Sequence, residues 1–415
     1  MIIWTTYKNS SFFLKMTIGF ILGILVGVIW GPDAEVFKPL GTLLIKMLSL
    51  IATPVIFLTV VLAVVQMNPA QLGRTGGKLI LYYAVTTAAA VLIGLGLALW
   101  INPGESLSLP NVEVDQPESF SLSNVMLNIV PDNLFTAFSS GNLMAILFLA
   151  IVIGFALSGM RFSTDEKLQK YGNDLLSILD AANVLFFRIL KGILLYAPIG
   201  IFAIGASSFG KQGWDTITSL LKFTAVFYLG VAILWLVVYC GILKIYKIPV
   251  RNFFRNTRDA YTSAFFTSSS IATLPIAMEN GKKAGISEKM VNFSLPLGAV
   301  FNSDGGALRM GASIVFAANI AGANFSPMDF LTIVFIGTLL SIGTAGIPAA
   351  GLVTLAAVLT MFDLPLEIVA LIAGVDVLIG MAGTASNVVG DLVGAAVVDQ
   401  SEKNQQVKTE VITQM

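Results

Sequence analysis

The stretch AYTSAFFTSSSIATLPIAME, residues 260–279, decides the fold. It is apolar enough to enter hydrocarbon, yet it carries Thr267, three consecutive serines (Ser268, Ser269 and Ser270), Thr273 and Pro275. Basic residues flank it on both sides, Arg258 before and Lys282 and Lys283 after. Basic loop residues stay on the cytoplasmic side, and a segment that starts and ends on one side cannot cross. The reading is a re-entrant helical hairpin with the serines at its tip, tolerated at depth because protein or water surrounds it. Residues 330–361 repeat the pattern from the opposite face, with Asp329 before them, Asp363 and Glu367 after them, and Ser341-Ile342-Gly343-Thr344-Ala345-Gly346 in the middle. Each is followed by an apolar span that polar residues interrupt: Asn302-Ser303-Asp304-Gly305-Gly306 in the first, Asn387 and Asp391 in the second. A duplicated pair of interrupted, Gly/Ser-rich segments, one from each face, is an inverted repeat and points to a transporter's binding site.

Composition agrees. Of 415 residues 56% are hydrophobic and 12% charged, against about 25% charged in soluble domains, so the chain reads as an all-α polytopic membrane protein. Zero formal net charge gives no basic field for nucleic acid. The single cysteine, Cys240, excludes an internal disulfide framework and a multi-thiolate metal site. The absence of histidine removes the usual metal ligand, proton relay and triad base together.

Apolar runs at 12–30, 43–65, 79–101, 143–160, 175–207 and 220–245 are each about as long as a bilayer helix requires, and the first reads as a retained helix rather than a signal peptide. Alternation puts Lys8, Lys15, Arg74, Lys78, Arg161, Lys167, Lys170 and the basic run Lys244 to Arg258 on one side, the cytoplasm. It puts residues 101–142, with Glu105, Glu113, Asp115, Glu118 and Asp132 and no Lys or Arg, outside. Spans at 290–319 and 365–398 complete eight crossings beside two hairpins. Both termini are then cytoplasmic, in the inner (plasma) membrane, and residues 1–400 form one domain with a tail at 401–415.

In the last span Asp376, Gly380, Gly383, Thr384, Asn387 and Asp391 share one helical stripe. Asp391, one turn past Asn387, lets a carboxylate and an amide oxygen converge on a hard cation. In the preceding span Gly305-Gly306 is expected to interrupt the helix after Asn302 and Asp304, freeing carbonyls beside a second carboxylate. Oxygen ligands without sulfur or imidazole suit Na+; protonation of either aspartate is the competing reading. Arg309, seven residues after Asn302, faces the same cavity as a substrate contact or pairs with Asp304 or Asp376. Bland alternatives stand beside the rest: tip packing for Ser268 to Ser270, and close helix approach for Gly380 and Gly383.

Tyr82-Tyr83-Ala84-Val85-Thr86-Thr87, Ser268-Ser269-Ser270 with Thr273-Leu274-Pro275, Asn302-x-Asp304-Gly305, Gly343-Thr344-Ala345-Gly346-x-Pro348 and Thr384-x-x-Asn387-x-x-x-Asp391 occur in the order seen in the glutamate transporter family, the dicarboxylate/amino acid:cation symporters. The chain resembles that family from the first helix to about Val398. The resemblance implies a homotrimer in membrane lipid, in which a trimerisation part (12–65 and 143–207) supports a mobile transport part (78–101 and 216–398) that moves as an elevator. It implies two or three Na+ ions, or H+ in place of one. One site would use Asp391 with carbonyls of Gly298, Asn302 and Asn387; another Tyr83, Thr86, Thr87, Asn302 and Asp304; a third carbonyls of Ser341, Ile342 and Thr344. The substrate carboxylate would sit against Ser269, flanked by Ser268 and Ser270, with Thr384 and Asn387, and Gly346 at the closing tip.

Departures from the family pattern narrow the substrate. Gly380 stands where amino-acid carriers have an aspartate for the ammonium, Gly383 where acidic-substrate members have an arginine, and Arg309 where tyrosine is usual. Ser303 replaces a methionine of the family signature, a departure that bears on the third sodium site. An ammonium without its carboxylate partner would be left unpaired in a desolvated site. The expectation is therefore a sodium-coupled symporter of a small organic anion, a dicarboxylate or an acidic amino acid. The alternatives are a neutral or unusual amino acid symporter and a proton-coupled dicarboxylate symporter. An intramembrane serine hydrolase would need a base beside Ser268 to Ser270 with no histidine to serve, and a passive channel would use the polar stripe without coupling.

Overall fold

The computed structural model describes residues 12–65, 69–107, 130–139, 143–341 and 350–413. Among these there is no strand, as hydrocarbon demands of a chain whose backbone groups must be satisfied within each segment. The first half comprises α1 (Phe12–Trp30), a 3₁₀ turn (Gly31–Phe37), α2 (Lys38–Val65), α3 (Pro69–Ile101), α4 (Leu143–Arg161), α5 (Glu166–Gln212) and α6 (Trp214–Ile233), which runs on through a π-helical turn (Leu234–Tyr239) to Ile245. Five helical runs, Leu14–Val65, Arg74–Ile101, Glu166–Gly210, Trp214–Ile245 and Asp376–Asn404, are long and apolar enough to cross a membrane. Outward-facing Ile29, Trp100, Leu195 and Trp214 are each at least 75% exposed, the pattern of side chains that meet lipid rather than water.

The second half is built from shorter pieces: α7 (Arg258–Thr267), α8 (Ser270–Lys283), α9 (Glu288–Phe301), α10 (Asp304–Ala321), α11 (Pro327–Ser341), α12 (Ala350–Met361), α13 (Glu367–Ala373) and α14 (Asp376–Thr413). With 10 and 14 residues, α7 and α8 reach only about 15 and 21 Å at 1.5 Å per residue, short of the ~30 Å of a hydrocarbon core. Their outer ends meet: Ala260 N–H donates to Asn280 Oδ1 at 3.0 Å and Asn256 Nδ2 to Lys283 O at 3.2 Å, so the chain leaves the pair where it entered. The turn is made by Ser268 in the left-handed region, φ 49°, and Ser269 Oγ caps α8 by accepting from Ala272 N–H.

One expectation is corrected. The interruption near Asp304 falls at Asn302-Ser303, not at Gly305-Gly306. Asn302 is extended (φ −109°, ψ 122°) and ends α9, Ser303 follows at φ −138°, and both glycines lie in the first turns of α10. A glycine inside a helix costs only about 1 kcal/mol relative to alanine, whereas Gly305 is needed for another reason: a Cβ there would overlap the Gly383 carbonyl of α14. The last span is also broken, at Gly374-Val375, between α13 and α14; a side chain on Gly374 would overlap the Phe20 ring of α1.

Two packing groups result. In one, α1, α2, α4 and α5 lie together; in the other, α3, α6 and α7 to α10 gather round α14. The groups meet where α12 lies on α2 and α13 on α5. Within the second group α3 crosses α10 at close range, since a Cβ on Gly94 would overlap Leu308 O and one on Gly311 would overlap Val91 O. That crossing sets the Tyr83–Thr87 face of α3 against the start of α10.

Candidate ion and substrate site

The break between α9 and α10 brings three helices to one point. Asp304 is fully buried; its Oδ1 accepts from Thr87 Oγ1 at 2.8 Å and Thr86 Oγ1 at 3.2 Å, and its Oδ2 from the Tyr239 hydroxyl at 2.8 Å. Its place in the first turn of α10 also sets the charge at the positive end of a helix. Asp391, 4% exposed, accepts from Asn302 Nδ2 at 3.0 Å, and the same amide reaches Asn387 O at 3.3 Å. Asn387 in turn fastens α14 to the break, its Oδ1 accepting from Gly305 N–H at 2.8 Å and its Nδ2 reaching Ser303 Oγ at 3.4 Å.

Two buried carboxylates therefore flank Asn302, and among the described residues neither forms an ion pair. An uncompensated buried charge costs several kcal/mol. Asn302 Oδ1 is buried and has no hydrogen-bond partner among the described residues, so an acceptor lone pair is left unsatisfied on the residue that the two carboxylates flank. Gly298 lies close enough that a Cβ on it would stand 2.5 Å from the Tyr83 hydroxyl and overlap the Asp391 carboxylate. Among the described residues no three His, Cys, Asp or Glu side chains gather. The donor set is carboxylate, amide and hydroxyl oxygen, suited to a hard cation.

Of the residues expected at the site, the structure brings together Thr86, Thr87, Asn302, Asp304, Asn387 and Asp391, with Tyr83 and Gly298 against Asp391. Gly383 lies against Gly305, whose own Cβ would overlap it, whereas a Cβ on Gly383 would meet only ordinary contacts at 3.5 to 3.9 Å. Gly380 has open space beside it among the described residues, with no neighbour outside its own stretch of helix within 4 Å of where a Cβ would lie. Arg309 pairs with Asp376 through Nη1 and Oδ1, not with Asp304. Ser269 serves as a helix cap, while Ser270 Oγ is buried without a partner among the described residues. Thr384 is half-buried on the α14 stripe. Ile342, Thr344 and Gly346 lie outside the described residues, as does the side chain of Ser341.

Sequence reasoning missed Tyr239 and Gly390. Tyr239 comes from a π-helical turn 65 residues before Asp304, and no periodicity foretells such a turn. Gly390, next to Asp391, sits where any side chain would push into Asn302, Asp304 and Tyr239 at once; its signal was a glycine inside the polar stripe.

Long apolar helices that enclose two buried carboxylates at a helix break are those of an integral membrane protein with a polar centre. Comparison with known proteins narrows this class. The profile described as the Sodium:dicarboxylate symporter family matches residues 12–401. The C4-dicarboxylate transport protein of Cupriavidus taiwanensis is 30% identical over 402 residues, covering 94% of this chain and 91% of that protein. The C4-dicarboxylate transport protein of Bacillus subtilis is 29% identical over 406 residues (95% and 94%), and its proton/sodium-glutamate symport protein 29% over 402 (94% and 92%). The chain belongs to the Sodium:dicarboxylate symporter family, a family of transporters and not of enzymes.

Proposed function

We propose that this chain is a sodium-coupled symporter of a C4-dicarboxylate, working by elevator-type alternating access. The observation that carries the reading is the pair of buried carboxylates, Asp304 and Asp391, flanking the unpartnered Asn302 Oδ1. Na+ held there neutralises charge that is otherwise costly at membrane depth. Because Asn387 bonds both Gly305 N–H and Ser303 Oγ, filling the cation site stiffens the same α14 segment that presents Thr384 and Gly380 to substrate. That is the coupling: ion and solute stabilise one arrangement of the break, and each raises affinity for the other.

Further ligands in this reading are Tyr83, Thr86, Thr87 and the Gly298 and Asn387 carbonyls, and, at a third ion site, carbonyls of Ser341, Ile342 and Thr344. Ser270, with its free buried hydroxyl, and Thr384 receive one substrate carboxylate, Arg309 the other, and Gly346 closes the outer tip. The α7–α8 pair and α11–α12 are the two re-entrant hairpins. The group around α14 is the moving part, sliding against α1, α2, α4 and α5, which hold a homotrimer together in the inner membrane with both termini cytoplasmic.

Dicarboxylate is favoured over amino acid because Gly380 offers no side-chain acceptor for an ammonium and the Asp376 carboxylate, one turn away, is already engaged by Arg309; C4-dicarboxylate transport proteins are among the relatives. Proton coupling is the second reading, favoured by the relative named for both proton and sodium. Purified protein in liposomes, given labelled succinate, separates them. Uptake driven by a Na+ gradient and abolished by choline substitution supports the proposal; uptake driven by a pH gradient alone selects the proton. Uptake of aspartate with none of succinate rejects the dicarboxylate reading.

A further inference from the structure

We propose that Asp376 is a built-in occupant of the subsite for the substrate's second carboxylate: it neutralises Arg309 while the site is empty and yields Arg309 to an incoming dianion. The inference rests on the dicarboxylate reading and deepens it. Arg309 and Asp376 form an ion pair between α10 and α14, their side chains 9% and 11% exposed. The guanidinium lies on Gly351 of α12, where any Cβ would overlap it, so a glycine floor holds its plane. Among the described residues its one hydrogen bond is Nη1 to Asp376 Oδ1, which leaves most of the fork's N–H donors open to a second acceptor.

The place of the pair fits a substrate end rather than a mere helix fastener. Gly305 touches Gly383, which closes one side of the crevice between α10 and α14. From that contact α10 climbs about 6 Å to Arg309 and α14 about 10 Å back to Asp376, at 1.5 Å per residue. Between the two closures lies Gly380, with open space beside it. A four-carbon dianion that has one carboxylate at Thr384 and Ser270 extends along this space toward Arg309.

Exchange of one carboxylate for another is sound on charge grounds. A buried guanidinium without a counter-ion is costly, so the empty site needs Asp376. A free carboxylate can meet the fork with two parallel hydrogen bonds, whereas Asp376 makes one, and bidentate pairing is stronger. Asp376, once released, stands in the first turn of α14, where the unpaired N–H groups of the helix N-terminus favour negative charge.

The test uses the purified full chain in detergent with saturating Na+, measuring succinate binding by calorimetry and thermal unfolding with and without succinate. Asp376→Asn is expected to bind succinate roughly tenfold more tightly, the worth of one charge-assisted hydrogen bond. It is also expected to melt lower when empty and to gain more from succinate than the wild type does. Butyrate, with one carboxylate, shows no such gain. Arg309→Gln binds succinate roughly tenfold more weakly, by the same bond, with or without Asp376→Asn; should it not fold, Arg309→Lys moves the same way by less. Succinate binding by Asp376→Asn that is equal to or weaker than wild type overturns the inference, since the pair then only fastens α10 to α14. A wild type stabilised by Na+ that binds no succinate instead fails the dicarboxylate reading, and the inference falls with it.

Discussion

Replacing Gly390 by alanine places one methyl at the centre of the proposed cation site without altering any charge. The added carbon would lie 2.7 Å from Asn302 Nδ2 and 2.9 Å from both Asp304 Oδ2 and the Tyr239 hydroxyl. Carbon needs about 3.5 Å from such neighbours, so the three groups must retreat by about 0.6 to 0.8 Å. None is the loose end of a flexible side chain: Asn302 is tied to Asp391 and Asn387, Asp304 to Thr86 and Thr87, and Tyr239 has Ser386 O at 3.2 Å. Overpacking of this kind costs about 1–3 kcal/mol, and one weakened hydrogen bond adds about 1 kcal/mol. A loss of about 2–4 kcal/mol in the ion-bound state corresponds to roughly 30- to 700-fold in Na+ affinity. The assay is the half-saturating Na+ concentration for succinate uptake in liposomes, with Na+-induced thermal stabilisation as a second reading. Gly96→Ala is the control, on α3 with nothing within 4 Å of the new methyl, and should leave both values unchanged. Wild-type Na+ dependence in Gly390→Ala refutes the assignment of this cluster to the ion.

Three further outcomes follow from the same geometry. Asp304→Asn and Asp391→Asn each remove a charge expected to touch Na+; at about 4 kcal/mol for unit charges 4 Å apart at an effective dielectric of 20, half-saturating Na+ should rise at least about 100-fold, and unchanged values in both reject the site. Ser270→Ala removes a buried hydroxyl that has no partner, so melting should hold or rise while the KM for succinate increases; Ser269→Ala, by contrast, removes a helix cap and should cost about 1 kcal/mol of stability. Gly380→Asp puts a carboxylate into open space and should weaken succinate uptake while admitting aspartate; unchanged preference would contradict the ammonium argument.

The sequence carried what depends on polarity and spacing. Apolar runs gave the first six helices, because a span must hide its backbone and this leaves a long, plain signal, although α3 and α5 begin ten and nine residues before their runs. Charged flanks gave the turning-back of α7 and α8, which Asn280 and Asn256 now fasten at the open end. Asn302, Asp304, Asn387 and Asp391 stood out because polar side chains at membrane depth are expensive unless used, whereas Thr86 and Thr87 entered only through the family resemblance. What escaped was set by tertiary packing. The break chose Asn302-Ser303 over the glycines since Gly305 is needed for contact with Gly383. Tyr239 is aimed by a π-helical turn, and Arg309 had two acidic candidates that only the crossing of α10 and α14 could separate.

The most direct test of the account is the simultaneous influx of radiolabelled Na+ and succinate into liposomes that hold the purified protein, at fixed membrane voltage. The account predicts that the two enter in a fixed ratio greater than one Na+ per succinate, and that Asp391→Asn lowers both fluxes together. Succinate entry that proceeds at the wild-type rate with no accompanying Na+ would contradict it.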